Sequence, residues 1–481
     1  MALERPSSRN RKVTSLQPQN HPQQSTSLKI EMTHNRPGIW SLAIPSIMGN
    51  LLFSIVALIQ TKFIGGLGGD AVAAVGVGQR VFFTMQAVLM AVSAGTTALV
   101  ARAWGAEDRD EAGRVTLASI VLACGPGLIF MVLGMIFYHP IASIFGLNPP
   151  TTTMAGETVY WQTAFVIGLS INFIISSALR AAGDAWTPLV LNILTCVISV
   201  PLLYVFIFGY WRIPAMGPAG SALAMSLSLA LGGLILLIMW MRQGLIVKYI
   251  KDGWNERLRY RHLFSIGFPA LLEQVLFQVG FVVFLMLIGN YYGTKAFAAY
   301  NVGVNMLNVA MVMGFGFSIA GSTLVGQNLG ADDPEAAVRI GWRTCWMAVI
   351  SMSVLALVIV IFAEPFARFF LGKDDLTIKY TVQFTYILAA MLPILGIDVA
   401  ISGALRGAGD TRFPVLSTFC GLIGMRCGLT LLFTWMGLPV VWVYGTIIGD
   451  FVVRGVLLVW RYQSGRWKKV ISNEALNLER Q

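Results

Sequence analysis

Only three acidic residues lie inside the long apolar runs of this sequence: Glu273, Asp398 and Asp450. A carboxylate surrounded by hydrocarbon is costly, so such a group is a functional candidate by default. It must be neutralised by a proton, by a metal cation such as Na⁺, or by an intramembrane arginine. Glu273 follows Pro269 by about one helical turn and is the first candidate for cation binding, with Asp398 the second. Asp450 and Arg454 stand four apart, the spacing that lets opposite charges meet on one helix face, so a self-neutralising pair is expected there, with Arg426 as a further partner. Asn301, Asn305 and Asn308 share a face at i, i+4 and i+7 and could ligate a cation, touch a substrate or bond neighbouring helices. Phe277, Phe281 and Phe284 form a stripe beside Glu273, with Gln274 and Gln278 as polar neighbours. Arg80 is the one arginine that stands out as a cavity cation.

Other chemistry is poorly represented. The four histidines (His21, His34, His139, His262) show no metal-ligand spacing, and the five cysteines sit in apolar runs without CxxC pairs. No GxxxxGK[ST] loop, nucleophile motif or close carboxylate pair occurs, which disfavours an enzyme and a nucleotide-driven pump. If the protein pumps, an ion gradient must drive it.

The scaffold for these side chains is a membrane bundle. Of 481 residues 56% are hydrophobic and 12% charged, about half the charged share of a soluble protein. A spanning helix takes about 20 apolar residues, and runs of that length occur six times in 39–241 and six times in 263–462. The segment 242–262 between them is polar and basic and is expected to lie at a membrane interface. Residues 1–38 are rich in Ser, Gln, Asn and Pro and read as a disordered tail; 463–481 form a second tail. With both ends placed in the cytoplasm, only Lys62, Arg212, Lys295, Arg368, Lys373 and Lys379 fall outside, which fixes the predicted orientation and offers a membrane reason for the net charge of +11 without nucleic acid.

The two sets of runs are repeats. Leu179–Pro188 (LRAAGDAWTP) matches Leu405–Pro414 (LRGAGDTRFP) at an offset of 226, Gly105-Ala-Glu-Asp matches Gly330-Ala-Asp-Asp at 225, and Pro45 matches Pro269 at 224. Six is even, so the two lobes run in the same direction about an axis along the membrane normal, with a cavity expected between them.

These residues resemble the multidrug and toxic compound extrusion (MATE) family. The resemblance covers about 40–462 and is carried by Gly68–Gly76, the paired LR(A/G)AGD loops, Phe268–Gln274, Gly314–Phe317 and Gly326–Gly330 in this order. It implies an all-α membrane protein with twelve transmembrane helices in two homologous six-helix lobes. It also implies a central cavity and export of amphipathic, often cationic, compounds in exchange for Na⁺ or H⁺. The family places a cation-binding glutamate near Glu273, and a functional aspartate about one turn from Asp398, at the level of Leu395. Its first-span pattern, VDTxFIG, appears here as Ile59-Gln60-Thr61-Lys62-Phe63-Ile64-Gly65, so Gln60 replaces the aspartate and cannot carry a proton. The fifth span offers Asn192, and the repeat-mate of Asp398 is Asn172, so any coupling is expected to depend on the second lobe. Arg180, Asp184, Arg406 and Asp410 of the paired loops are expected to latch an inner gate.

The expected protein is thus a cation-coupled antiporter working by alternating access, a monomer in the bacterial inner membrane, needing no cofactor beyond its coupling ion. A flippase or a dedicated exporter of a lipid-linked or secondary-metabolite substrate is the alternative.

Overall fold

Elementary solvation explains why this chain is almost entirely helical: within hydrocarbon every backbone N–H and C=O must be satisfied inside its own segment. The computed structural model describes residues 37–254, 256–371 and 375–470, so most of both expected tails lies outside the described residues. The first lobe contains α1 (Ile39–Gly65), α2 (Gly69–Gly105), α3 (Arg109–Ile136), the short α4 (Tyr138–Ser143), α5 (Pro149–Ala164), α6 (Val166–Ala181), α7 (Trp186–Phe208) and α8 (Gly217–Met241). The second contains a helical run, Arg257–Gly330, broken at Gly293 into the spans α9 (Arg257–Gly293) and α10 (Ala310–Gly330). It continues with α11 (Pro334–Leu371), α12 (Asp375–Gly407), α13 (Arg412–Thr418), a π-helical stretch Phe419–Cys427, α14 (Gly428–Trp435) and α15 (Val440–Gln463).

Among the described residues eleven helices are long and apolar enough to cross a membrane, and the bent pair α5–α6 makes a twelfth span. The apolar residues left exposed form bilayer-facing surfaces, as on α11, where Val354, Leu357, Ile361 and Phe362 are all about 60% exposed. This is a multi-pass membrane protein.

Two departures from a run of straight helices have local causes. The fourth span bends by 49° at Phe165. There the Thr163 hydroxyl donates to the carbonyls of Val159 and Tyr160, competing with the backbone ladder in the way that bends helices. In the eleventh span, the wide turns of Phe419–Cys427 carry the buried Arg426. π segments of this kind are often found at functional positions.

The repeated loops fold alike. Asp108 and Asp333 each cap the following helix by accepting from the backbone N–H three residues on (Glu111, 2.8 Å; Ala336, 2.9 Å). The preceding Glu107 and Asp332 both take positive φ (61° and 56°), as do Gly183 (102°) and Gly409 (87°) in the two LR(A/G)AGD loops, where glycine adopts the conformation without a Cβ clash. The connections after α2, α6, α8, α10, α12 and α15 all lie at one end of the bundle, here called the linker end.

Candidate functional site

Each intramembrane carboxylate of the second lobe faces an arginine from another helix. Glu273 of α9 accepts from Arg406 at the end of α12 at 2.8 Å, with Glu273 buried and the arginine side chain 24% exposed. Asp398 of α12 accepts from Arg454 of α15 at 2.9 Å. Asp450 of α15 meets Arg426 of the π stretch at 2.6 Å, both fully buried or nearly so. The self-contained Asp450–Arg454 pair expected from i, i+4 spacing is therefore replaced by two crossed pairs. The π turns bring Arg426 to Asp450, and α12 offers Asp398 to Arg454. The Phe451 ring is near both guanidinium groups, 5.6 Å from that of Arg426 and 5.1 Å from that of Arg454, which adds cation–π attraction in a desolvated site.

The other expected site residues are distributed as follows. Gln60 is buried and donates to the Ser221 hydroxyl at 3.2 Å, so an amide–hydroxyl bond to α8 stands where the family pattern has an acid. Asn172 is buried and donates to the Leu229 carbonyl at 3.3 Å. Asn192 is half-buried with its amide against Gly49 of α1. Arg80, Gln278 and Asn308 are exposed, and Gln274, Phe277 and Phe281 half-buried. Phe281 and the fully buried Phe284 pack on Tyr300 at 6.2 and 5.4 Å between ring centres, so this end of the stripe belongs to the core. Asn301 and Asn305 lie on helical backbone, with side chains outside the described residues.

The four loop residues do not share a role. Asp184 accepts from the backbone N–H groups of Trp186 and Thr187 and from the Thr187 hydroxyl, anchoring the start of α7. Its repeat-mate Asp410 accepts instead from Arg461 of α15 at 2.7 Å. Arg406 holds Glu273, while Arg180 contributes its carbonyl, which accepts from Thr323 of α10 at 3.2 Å.

That last bond belongs to an inter-lobe seam at the linker end that the side-chain candidates did not reveal. Gln327 of α10 donates to the Ala181 carbonyl at 2.9 Å, and Arg259 of α9 forms two 2.8 Å bonds to Glu111 of α3. The ends of α2 and α10 approach so closely that a Cβ on Gly105 would lie 1.9 Å from the Gln327 carbonyl, and one on Gly330 would lie 2.0 Å from the Arg102 carbonyl. Both positions had a signal in the sequence, since Gly105 and Gly330 are repeat-mates, but a repeat does not say which surface its glycines face.

Among the described residues no group of three or more His, Cys, Asp or Glu side chains is placed to hold a metal ion. The arrangement instead provides buried carboxylates paired with arginines from other helices and a seam of contacts between the two lobes at the linker end.

A family model described as MatE matches residues 45–205 and 269–432, one block in each lobe. The chain is 28% identical over 452 residues to the probable multidrug resistance protein NorM of Thermotoga maritima, covering 92% of this chain and 95% of that protein. It is 24% identical over 459 residues to the probable multidrug resistance protein YoeA of Bacillus subtilis, covering 90% and 96%. In fold it is similar to a MOP superfamily transporter from Pyrococcus furiosus, with a TM-score of 0.83 at 20% identity, covering 89% of this chain and 96% of that one. Twelve spans in two like-folded lobes, with a family match in each, lead to one conclusion: the chain belongs to the MATE family of membrane transporters, a family of transporters and not enzymes.

Proposed function

We propose that this protein is a cation-coupled antiporter that exports amphipathic, often cationic, small molecules such as drugs by alternating access between its lobes. The names of the relatives from Thermotoga maritima and Bacillus subtilis support the substrate class. In this reading the protein works as a monomer in the bacterial inner membrane with both termini and the linker end in the cytoplasm, so the seam makes the described conformation the outward-open one. Arg259, Lys248 and the other basic residues of that end accord with the excess of Lys and Arg expected on the cytoplasmic side.

The observation that carries the coupling is the Glu273–Arg406 pair. Arg406 belongs to the LRGAGD loop, so the buried carboxylate is tied directly to a connection at the sealed end. A Na⁺ or H⁺ reaching Glu273 from outside neutralises the carboxylate and weakens its hold on Arg406, changing the packing of α9 against α12. Because coupling is reciprocal, a cation that favours one arrangement of this pair is displaced by a substrate that favours the other, and a few kcal/mol of difference suffices. With Gln60 in the first lobe unable to carry a proton, the second lobe carries the coupling.

The test is efflux of an amphipathic cationic dye from proteoliposomes under separately imposed Na⁺ and H⁺ gradients, comparing wild type with Glu273→Gln. Efflux driven by one gradient and lost in the variant supports the reading and names the ion. Folded protein with gradient-independent efflux, or a variant that transports normally, refutes it.

A further inference from the structure

The second lobe has a basic cleft at the linker end that neither the carboxylate pairs nor the inter-lobe seam uses. It has a volume of about 520 Å³ and is walled by Ser265 of α9, the loop Gly409–Phe413, Arg461 and Arg466. Three arginines, Arg412, Arg461 and Arg466, line it against one acid, Asp410. Arg461 spends its Nε on Asp410, and its guanidinium lies 5.3 Å from the Phe413 ring; its outer nitrogens make no other hydrogen bond among the described residues. Arg466 is exposed and its side chain has no ion pair among the described residues. On the other side of Ser265 a second cleft of about 530 Å³ carries Arg257, Arg261, Tyr260 and Phe264.

The charge is combined with an apolar rim. Leu416 in the first cleft is 50% exposed and Phe264 in the second 59% exposed, with Phe264 stacked on Phe268. Trp460, also exposed, lies 6.1 Å from Phe413. Guanidinium forks match the oxygens of a phosphate, and exposed aromatics beside arginines at a helix end are the pattern of a membrane interface. A free phosphate would need the arginines alone, whereas a lipid also uses the apolar rim.

We infer that these adjoining clefts bind the phosphate headgroup of an anionic phospholipid, with its acyl chains along Leu416, Phe264 and Phe268. The headgroup would compete with Asp410 for Arg461 and touch Thr411, in the loop that also carries Arg406. Lipid occupancy therefore acts on the same connection as the carboxylate pair, from the bilayer side. The binding site itself depends neither on the substrate nor on the coupling ion.

The full-length protein, purified in detergent, is titrated with phosphatidylglycerol, phosphatidylcholine or inorganic phosphate and read by native mass spectrometry. Phosphatidylglycerol is expected to be retained about tenfold better than phosphatidylcholine, and that preference to fall by about tenfold in Arg412→Gln/Arg466→Gln while surviving in Arg212→Gln at the opposite end. Equal retention of both lipids, equal loss in Arg212→Gln, or displacement of the lipid by inorganic phosphate at matched concentration overturns the inference. Should the double variant fail to fold, a photoactivatable phosphatidylglycerol on the wild type decides: crosslinks within 261–268 or 409–416 support the site, and crosslinks confined elsewhere refute it.

Discussion

Gly105 at the end of α2 lies against the Gln327 carbonyl of α10, where a Cβ would stand at 1.9 Å. The repeat-mates of both residues make the reciprocal contact: Gly330 lies against the Arg102 carbonyl, and each partner is displaced by 225 in sequence. Backbone on both sides leaves no flexible side chain to move aside, so an added methyl must separate the helices. Gly105→Ala and Gly330→Ala are therefore expected to open the linker end and to slow transport by about tenfold or more. Spin labels on the ends of α2 and α10 measure this, and distance distributions identical to wild type would refute the seam's closing role.

The crossed arginine pairs make a prediction that a same-helix pair does not. Asp450→Asn strands Arg426 in a fully buried position, a change that costs about 3–5 kcal/mol for a buried pair. Arg426→Gln added to it should restore much of the loss, whereas Arg454→Gln should worsen it by stranding Asp398 as well. Thermal unfolding of the single and double variants in detergent compares the two, and rescue by the Arg454 change instead would contradict the observed pairing.

Glu273 and Arg406 are predicted to act as one unit. Arg406→Gln leaves Glu273 buried without its arginine, so it should reduce dye efflux as Glu273→Gln does, with the double variant losing little more than either single one. Additive losses in the efflux assay would show that the two side chains serve separate steps.

Glu111 accepts both bonds from the buried Arg259 across the lobes, but it is itself one-third exposed and Arg259 also meets Glu256. Glu111→Gln is accordingly expected to cost only about 1 kcal/mol of stability while raising accessibility of the linker end to a thiol reagent at a cysteine introduced in α3. Unchanged labelling would remove this pair from the seam.

The all-α, twelve-span, two-lobe plan was legible in the sequence: the length of the apolar runs follows from a hydrocarbon core about 30 Å thick, and the two lobes from motifs that recur at offsets near 225. The costly carboxylates Glu273, Asp398 and Asp450 were also legible, since any charge in an apolar run stands out. Which arginine each one meets was not. Helical periodicity correctly placed Asp450 and Arg454 on one face, yet periodicity describes a single helix, and the π turns around Arg426 and the approach of α12 decided the pairing. Likewise the LR(A/G)AGD repeat specified two identical turns, with Gly183 and Gly409 both at positive φ. Asp184 anchors the start of α7 through bonds within its own turn, whereas tertiary packing gave Asp410 an arginine from α15, because the second lobe presents Arg461 there. Sequence fixes the cost of burying a group; the neighbours that offset that cost come from other helices, 56 residues away for Asp398 and 133 for Glu273, and only the folded bundle brings them into contact.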